Sequence, residues 1–444
     1  MAKLNILAMF LLFLTISTIK AQDAGVFDVT KFGGKADPGA DNRQAVNNAW
    51  KEACASATPS KLLIPDGTFG LAPVTMTGPC KAPVEFQLKG TLKAQTEPSQ
   101  MKDGGSWVHF DSIQGLTISG GGTFDGDGAN APTSCEQNNY CKKRPIVKNL
   151  SFNGVTNAMI QDITSLNSKQ FHINVIGAKN FTLQHVTVTA AESSMNTDGI
   201  HVGRSTGVTI TDSKIGTGDD CISIGDGTQQ MEINKITCGP GHGISIGSLG
   251  KYQNEQPVVG VNVKNCTMIN TQNGVRIKTW PASLPGTASD MHFEDIIMQN
   301  VSSPVVLDQV YCPWNKCNAK LPSRVKVDKV SFKNIRGTSA SPLAVKIACS
   351  SGVPCQGVEL ADIDLTYNGS EGPIKSECTN VQPKISGKMN PPACTSVAAA
   401  PGGAAGPDGA AGLGGAASPD GAAIPAGAKG HARGLRSLIS EIAV

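Results

Sequence analysis

Asp198-Gly199-Ile200-His201-Val202, Asp220-Cys221-Ile222-Ser223-Ile224 and His242-Gly243-Ile244-Ser245-Ile246 are copies of one short unit, and Asn273-Gly274-Val275-Arg276-Ile277 and Ser303-Pro304-Val305-Val306-Leu307 continue it. The aligned apolar residues Ile200, Ile222, Ile244, Val275 and Val305 lie 22, 22, 31 and 30 residues apart. Each copy is a strand, a turn containing Gly or Asn, and a second strand such as Val208-Thr209-Ile210 or Val261-Asn262-Val263. One such strand cannot bury its apolar face alone, whereas stacked coils of about 20–30 residues share a continuous core. The unit therefore predicts an all-β solenoid, a single-stranded parallel β-helix. A β-sandwich would need hairpins, and no consistent hairpin turn signal is present.

Alternation sets the directions. Ile200/Val202, Ile222/Ile224, Ile244/Ile246 and Val275/Ile277 point into the bore, and His201, Ser223, Ser245, Arg276 and Lys278 face out along one flank. Stacking places the residue before each strand over its counterpart, about 4.8 Å per coil. Asp198, Asp220 and His242 then form a column, with Asp219 beside Asp220 and Asn196 just before Asp198. Arg276 and Lys278 lie one coil further on. Crowded carboxylates cannot all ionise easily, so one is pushed to a higher pKa, the arrangement that cleaves glycosidic bonds. Arg276 offers a fork to a substrate carboxylate and Lys278 a second cation. A single Asp in a turn is most often only a turn residue; three in register beside outward Arg and Lys point to hydrolysis of an acidic polysaccharide. His172 and His201 receive no ligand role, and Asp125-Gly126 and Asp127-Gly128 read as turns.

The rest of the chain sets the context. Glycine is 50 of 444 residues, about 11 % against a usual ~7 %, and charged residues are 16 %. The net charge of +3 falls to about +1 without Lys3 and Lys20, which argues against nucleic acid as a partner. Residues 1–21, with Lys3 and the apolar run Ile6–Ile16, read as a secretory signal peptide, and no second apolar run suggests a membrane span. Thirteen cysteines fit an oxidising compartment. Their near pairs are Cys135/Cys141, Cys221/Cys238, Cys312/Cys317, Cys349/Cys355 and Cys378/Cys394, with Cys54/Cys80 farther apart and Cys266 left over. Sequence leaves the connectivity open. No spacing suits zinc, and no cofactor or metal is expected. Sequons stand at Asn149, Asn180, Asn265, Asn300 and Asn368. Asp41–Ala55 predicts a short capping helix, with Asp41 as N-cap and Ala45, Ala49 and Trp50 on one face. Residues 22–395 form the β-helix domain. Residues 396–444 differ in kind: 398–430 hold 13 Ala, 10 Gly and four Pro, a composition that cannot bury a core.

Asn196-Thr197-Asp198, Gly218-Asp219-Asp220, Gly241-His242-Gly243 and Arg276-Ile277-Lys278 stand in the order and spacing of the polygalacturonases, glycoside hydrolase family 28. The resemblance runs from about Phe27 to Cys394, and the run Gly239–Gly250 and the cysteine placement look closest to plant pollen exopolygalacturonases. It implies a right-handed parallel β-helix and inverting hydrolysis of α-1,4-linked galacturonan in pectin, by a secreted, monomeric, cell-wall enzyme. On this resemblance Asp219 is the general acid, Asp198 and Asp220 hold and deprotonate the water, and His242 tunes the acid. Arg276 and Lys278 bind galacturonate carboxylates, Asn196 supports the site, and Tyr311 contacts the sugar near the cleavage point. Inversion wants about 6.5–9.5 Å between acid and base, and Asp219, one residue out of column, is placed to widen the gap.

Exo action rests on the likeness alone, with the Cys135–Cys141 segment and Leu249–Gln256 as candidates to close one end of the groove. An endo-acting hydrolase is the near variant. A Ca²⁺-dependent pectate lyase, its metal on the Asp cluster and Arg276 or Lys278 removing a proton, is a rival. An inactive pectin-binding solenoid is another, opposed by the intact set of catalytic-type residues.

Overall fold

A computed structural model of the protein describes residues 25–94, 105–128, 147–315 and 317–394. The signal segment 1–21, the Cys135–Cys141 pair and the tail 396–444 lie outside them. The chain winds as a right-handed parallel β-helix. Among the described residues, one sheet of 11 strands runs in chain order from Val74–Thr77 to Lys375–Thr379, and 21 further strands wrap the other sides, every pairing parallel. Each coil carries three strands rather than two. One coil, for example, comprises Ile200–Gly203, Thr206–Thr211 and Lys214–Gly216. The third strand was hidden because it is only three residues long.

The expected register holds in the 11-stranded sheet. Ile200 pairs with Ile222, Ile222 with Ile244, Ile244 with Val275 and Val275 with Val305. The jump from 22 to 31 residues is absorbed outside the strands, in the excursion 250–257. All five side chains are fully buried in the bore. In the earlier coils aromatic rings fill it: Phe110 stacks on Phe152 at 5.2 Å, and Phe152 meets Phe181 edge-on at 5.0 Å.

Corners explain the Asn and Asp content. Asp162, Asp212, Asn265 and Asp295 turn the chain at positive φ, where short polar side chains are tolerated best. Amides at other corners ladder between coils, Asn180 Nδ2 donating to Asn157 Oδ1 at 2.8 Å and Asn300 Nδ2 to Asn270 Oδ1 at 2.9 Å. Of the sequons, Asn149 is buried and donates to Phe124, Ser165 and Leu166, so it cannot carry a glycan in the folded chain. The other four are exposed.

The helix begins at Arg43, not Asp41, and runs to Ala55, with Asn42 at the cap position. Asn42 is buried and spends its side chain on Lys35 and Gly70. Asp41 caps from one place further out, accepting the Arg43 and Ala72 N–H groups at 3.0 and 3.2 Å. Ala45, Ala49 and Trp50 are buried as expected and close the first coils. Cys54–Cys80, Cys221–Cys238, Cys312–Cys317, Cys349–Cys355 and Cys378–Cys394 are bonded. Cys266 is a buried thiol whose pKa burial pushes up to about 12.

Candidate active site

The turn Gly218-Asp219-Asp220 enters the strand Ile222–Ile224 over a packed support. A side chain at Gly218 would meet the Ser194 carbonyl at 2.0 Å, so the position admits only glycine. Its N–H donates to Thr197 Oγ1 at 3.0 Å, and Thr197, fully buried, donates on to Ser194. Cys221 turns inward and bonds Cys238 beneath the turn. Thr197, the middle residue of the first motif, is thus structural. Its signal was a hydroxyl flanked by two polar residues, which did not distinguish it.

Asp220 is held by three donors. Ser245 Oγ donates to its Oδ1 at 2.8 Å, Arg276 Nη2 to the same oxygen at 2.9 Å, and Lys278 Nζ to Oδ2 at 2.9 Å. Burial alone would raise its pKa, but Lys278, Arg276 and His242 outweigh burial and hold it at about 2. Asp198 has the opposite fate. Burial, then the charges of Asp219 and Asp220, push its pKa well above the usual carboxylate range. The expected raised carboxyl therefore exists, and in the free groove it is Asp198.

Asp219 is the most open of the three. Its Oδ1 accepts the Asp220 N–H at 2.7 Å and pairs with His242 Nδ1 at 3.0 Å, which leaves Oδ2 without a hydrogen bond among the described residues. His242 is tied to the same turn by its own N–H, which donates to the Asp219 carbonyl at 2.8 Å. Tyr311 sits over the cations, its ring centre 5.3 Å from Lys278 Nζ and 5.9 Å from Arg276 Cζ. Asn196 is exposed at positive φ, and no hydrogen bond of its side chain to the carboxylates is seen.

Alternation turns both His172 and His201 outward, and the structure differs for His172 alone. His172 faces inward, fully buried against Ser165 Oγ at 3.0 Å, and burial drops its pKa to about 3. His201 does face the groove, with its Nδ1 2.8 Å from Ser223 Oγ, and burial foremost lowers its pKa to about 4. Leu249–Gln256 forms a side wall. Glu255 accepts the Gly250 and Tyr252 N–H groups, and Lys251 lies 5.1 Å over the Trp280 ring, which meets Tyr311 edge-on. The segment flanks the cations.

One ligand atom each from Asp219, Asp220 and His242 lies within 4.8 Å of the others, so stepping out of column leaves the nearest oxygens of Asp219 and Asp220 closer than the gap expected between acid and base. The three residues do not fit Ca²⁺, which takes six to eight oxygens, because both Asp220 oxygens already carry a cationic partner.

Comparison with known proteins agrees with this geometry. The family described as glycosyl hydrolases family 28 matches residues 54–391. A "Polygalacturonase" of Nicotiana tabacum is 56% identical over 393 residues, 88% of this chain and 97% of that protein. An "Exopolygalacturonase" of Oenothera organensis is 56% identical over 363 residues, 81% and 99% of the two chains. Among solved structures, an endo-xylogalacturonan hydrolase from Aspergillus tubingensis superposes with a TM-score of 0.72 at 23% identity, covering 85% of this chain and all of that one.

Proposed function

This chain belongs to glycosyl hydrolase family 28, and on that premise we propose that it hydrolyses α-1,4-galacturonosyl bonds of polygalacturonate with inversion, releasing galacturonate from chain ends. The observation that carries the reading is the Asp219–Asp220–Asp198 cluster with Arg276 and Lys278 in direct contact with it. The exo mode is supported by the likeness to the Oenothera protein over nearly its whole length.

In the reaction, Oδ2 of Asp219 gives its proton to the glycosidic oxygen as the C–O bond breaks. A water held by Asp198 and Asp220 attacks the anomeric carbon from the other face, and its proton passes to that carboxylate pair. Asp220 is a poor base while two cations hold it near a pKa of about 2. A substrate carboxylate docking on Arg276 and Lys278 shares their charge and so raises the basicity of Asp220 when the sugar is in place. His242 keeps Asp219 aimed. Ca²⁺-dependent elimination is disfavoured by the occupied Asp220 oxygens.

The signal-like segment 1–21 and the five disulfides among the described residues support secretion to the cell wall. The large apolar side chains exposed among the described residues, Val310, Leu321 and Ile385, are scattered, which supports action as a monomer.

A time course on de-esterified polygalacturonate tests the reading, following reducing ends, viscosity and product size together. Galacturonate appearing from the start with viscosity nearly unchanged is expected. A rapid viscosity fall with mixed oligomers would make the enzyme endo-acting, and unsaturated products would overturn hydrolysis. Arg276→Lys tests the substrate cation. Arg276 bonds Asp220 through Nη2 and Ser245 through Nε at 3.0 Å, a fork that lysine cannot reproduce. KM is expected to rise by roughly tenfold or more, the loss of one charge-assisted hydrogen bond. An unchanged KM would count against this role.

A further inference from the structure

The catalytic carboxylates belong to a longer column. Ser106, Lys148, Phe171, Asp198, Asp220 and His242 each stand two residues before the paired inward residues Val108, Leu150, Ile173, Ile200, Ile222 and Ile244. Members of this column lean onto the groove-floor residue of the next coil. Ser106 Oγ donates to Ser151 Oγ at 2.6 Å, the Phe171 ring lies 5.2 Å from the His201 ring, and Asp220 accepts from Ser245 at 2.8 Å.

Extended by register, the same lean points Lys148 towards Asn174, the floor residue paired with Ser151. Lys148 is half-buried and pairs in register with Ser106, one coil before Phe171, so it stands in the column between two side chains that reach the floor. Burial lowers the pKa of Lys148, and no carboxylate among the described residues pairs with it. A half-buried ammonium without a counter-charge is costly to hold, and a bound anion relieves that cost. His201, neutral above a pKa of about 4, is a flat partner for a sugar ring rather than a second cation.

We propose that Lys148, Asn174 and the Phe171–His201 pair bind the galacturonate on the side of the catalytic carboxylates opposite Arg276 and Lys278. The sugar ring lies on Phe171 and His201, and its carboxylate pairs with Lys148. Each sugar of the cleaved bond then has its own cation, with the carboxylates between them. This rests on the galacturonan-hydrolase reading above.

The test uses trigalacturonate and three versions of it, each methyl-esterified at a different single residue. The wild type is expected to discriminate against the ester at the residue facing Lys148 by roughly ten- to hundredfold in kcat/KM, the worth of a hydrogen bond to a charged group. In Lys148→Met that discrimination collapses towards unity, Lys148→Arg restores part of it, and Arg276→Lys changes sensitivity at a different residue. Phe171→Leu, which keeps apolar bulk but removes the flat ring, raises KM and covers the case in which the Met variant does not fold. A folded Lys148→Met protein that keeps the wild-type ester preference overturns the inference and leaves the hydrolase reading intact. A wild-type protein that releases no galacturonate from trigalacturonate overturns both.

Discussion

Asp219→Asn is expected to lower turnover on polygalacturonate by at least about 10²–10⁴-fold, the usual worth of general acid–base catalysis. Folding and binding should survive. The amide oxygen of asparagine still accepts the Asp220 N–H and still faces His242 Nδ1, the two contacts that fix the side chain. What is lost is the proton on Oδ2. A second substrate separates the acid from the base. An aryl galacturonide with an acidic phenol leaves without protonation, so the variant should recover much of its rate on it. Asp198→Asn, which damages the water-activating pair, should stay slow on both substrates. Near-normal turnover of polygalacturonate by Asp219→Asn would remove Asp219 as the acid, and equal losses on the two substrates would give it another role.

Much of this site was legible because the repeat is rigid. Once Ile200, Ile222 and Ile244 are aligned, the pairing of His201 with Ser223 and Ser245 follows without freedom. Arg276 falls on the same line although nine extra residues intervene, because the insertion leaves the groove-lining strand. Stacking the turn residues already puts Asp198, Asp220 and His242 in one column, and what alternation misplaces is the bend that precedes each strand. Strict alternation from Ile173 would turn His172 outward, and from Ile200 it would turn Asp198 into the bore. The chain rounds a corner there, so the order is swapped. His172 and Cys221 go inside, and Asp198, Asp220 and Phe171 face the groove. Period-2 reasoning fails at corners, and the catalytic column stands on one. The split between Asp198 and Asp220 was equally hidden, since it depends on which carboxylate the two cations reach, a matter of ångströms that spacing does not convey.

That split has a second consequence, for stability rather than rate. Asp220→Asn leaves Arg276 and Lys278, with side chains 12% and 10% exposed, as cations without an anion. Removing one partner of a buried ion pair costs about 3–5 kcal/mol, so this variant should melt several degrees below the wild type at neutral pH. Asp198→Asn should do the reverse. The folded-state pKa of Asp198 lies above its unfolded value, so the folded chain holds a proton that the unfolded chain has released. The contribution of Asp198 is fully present below the unfolded carboxylate pKa of about 3.9 and is lost as pH rises through the folded pKa. Asparagine matches the size of the carboxyl and has nothing to ionise. Melting curves for the wild type and Asp198→Asn should therefore coincide near pH 3 and separate as pH rises, with the inactive variant the more stable. Asp220 runs with the opposite sign. Its folded pKa of about 2 is depressed, so its stabilisation is present above the unfolded value and fades as acid approaches pH 2. Measured across pH 2–7, the two variants should bracket the wild type, one above and one below, with both gaps closing in acid. A gap for Asp198→Asn that stayed constant with pH would show that the charge of Asp198 is not the cause, and an Asp220→Asn protein as stable as the wild type would mean that the two cations do not depend on that carboxylate.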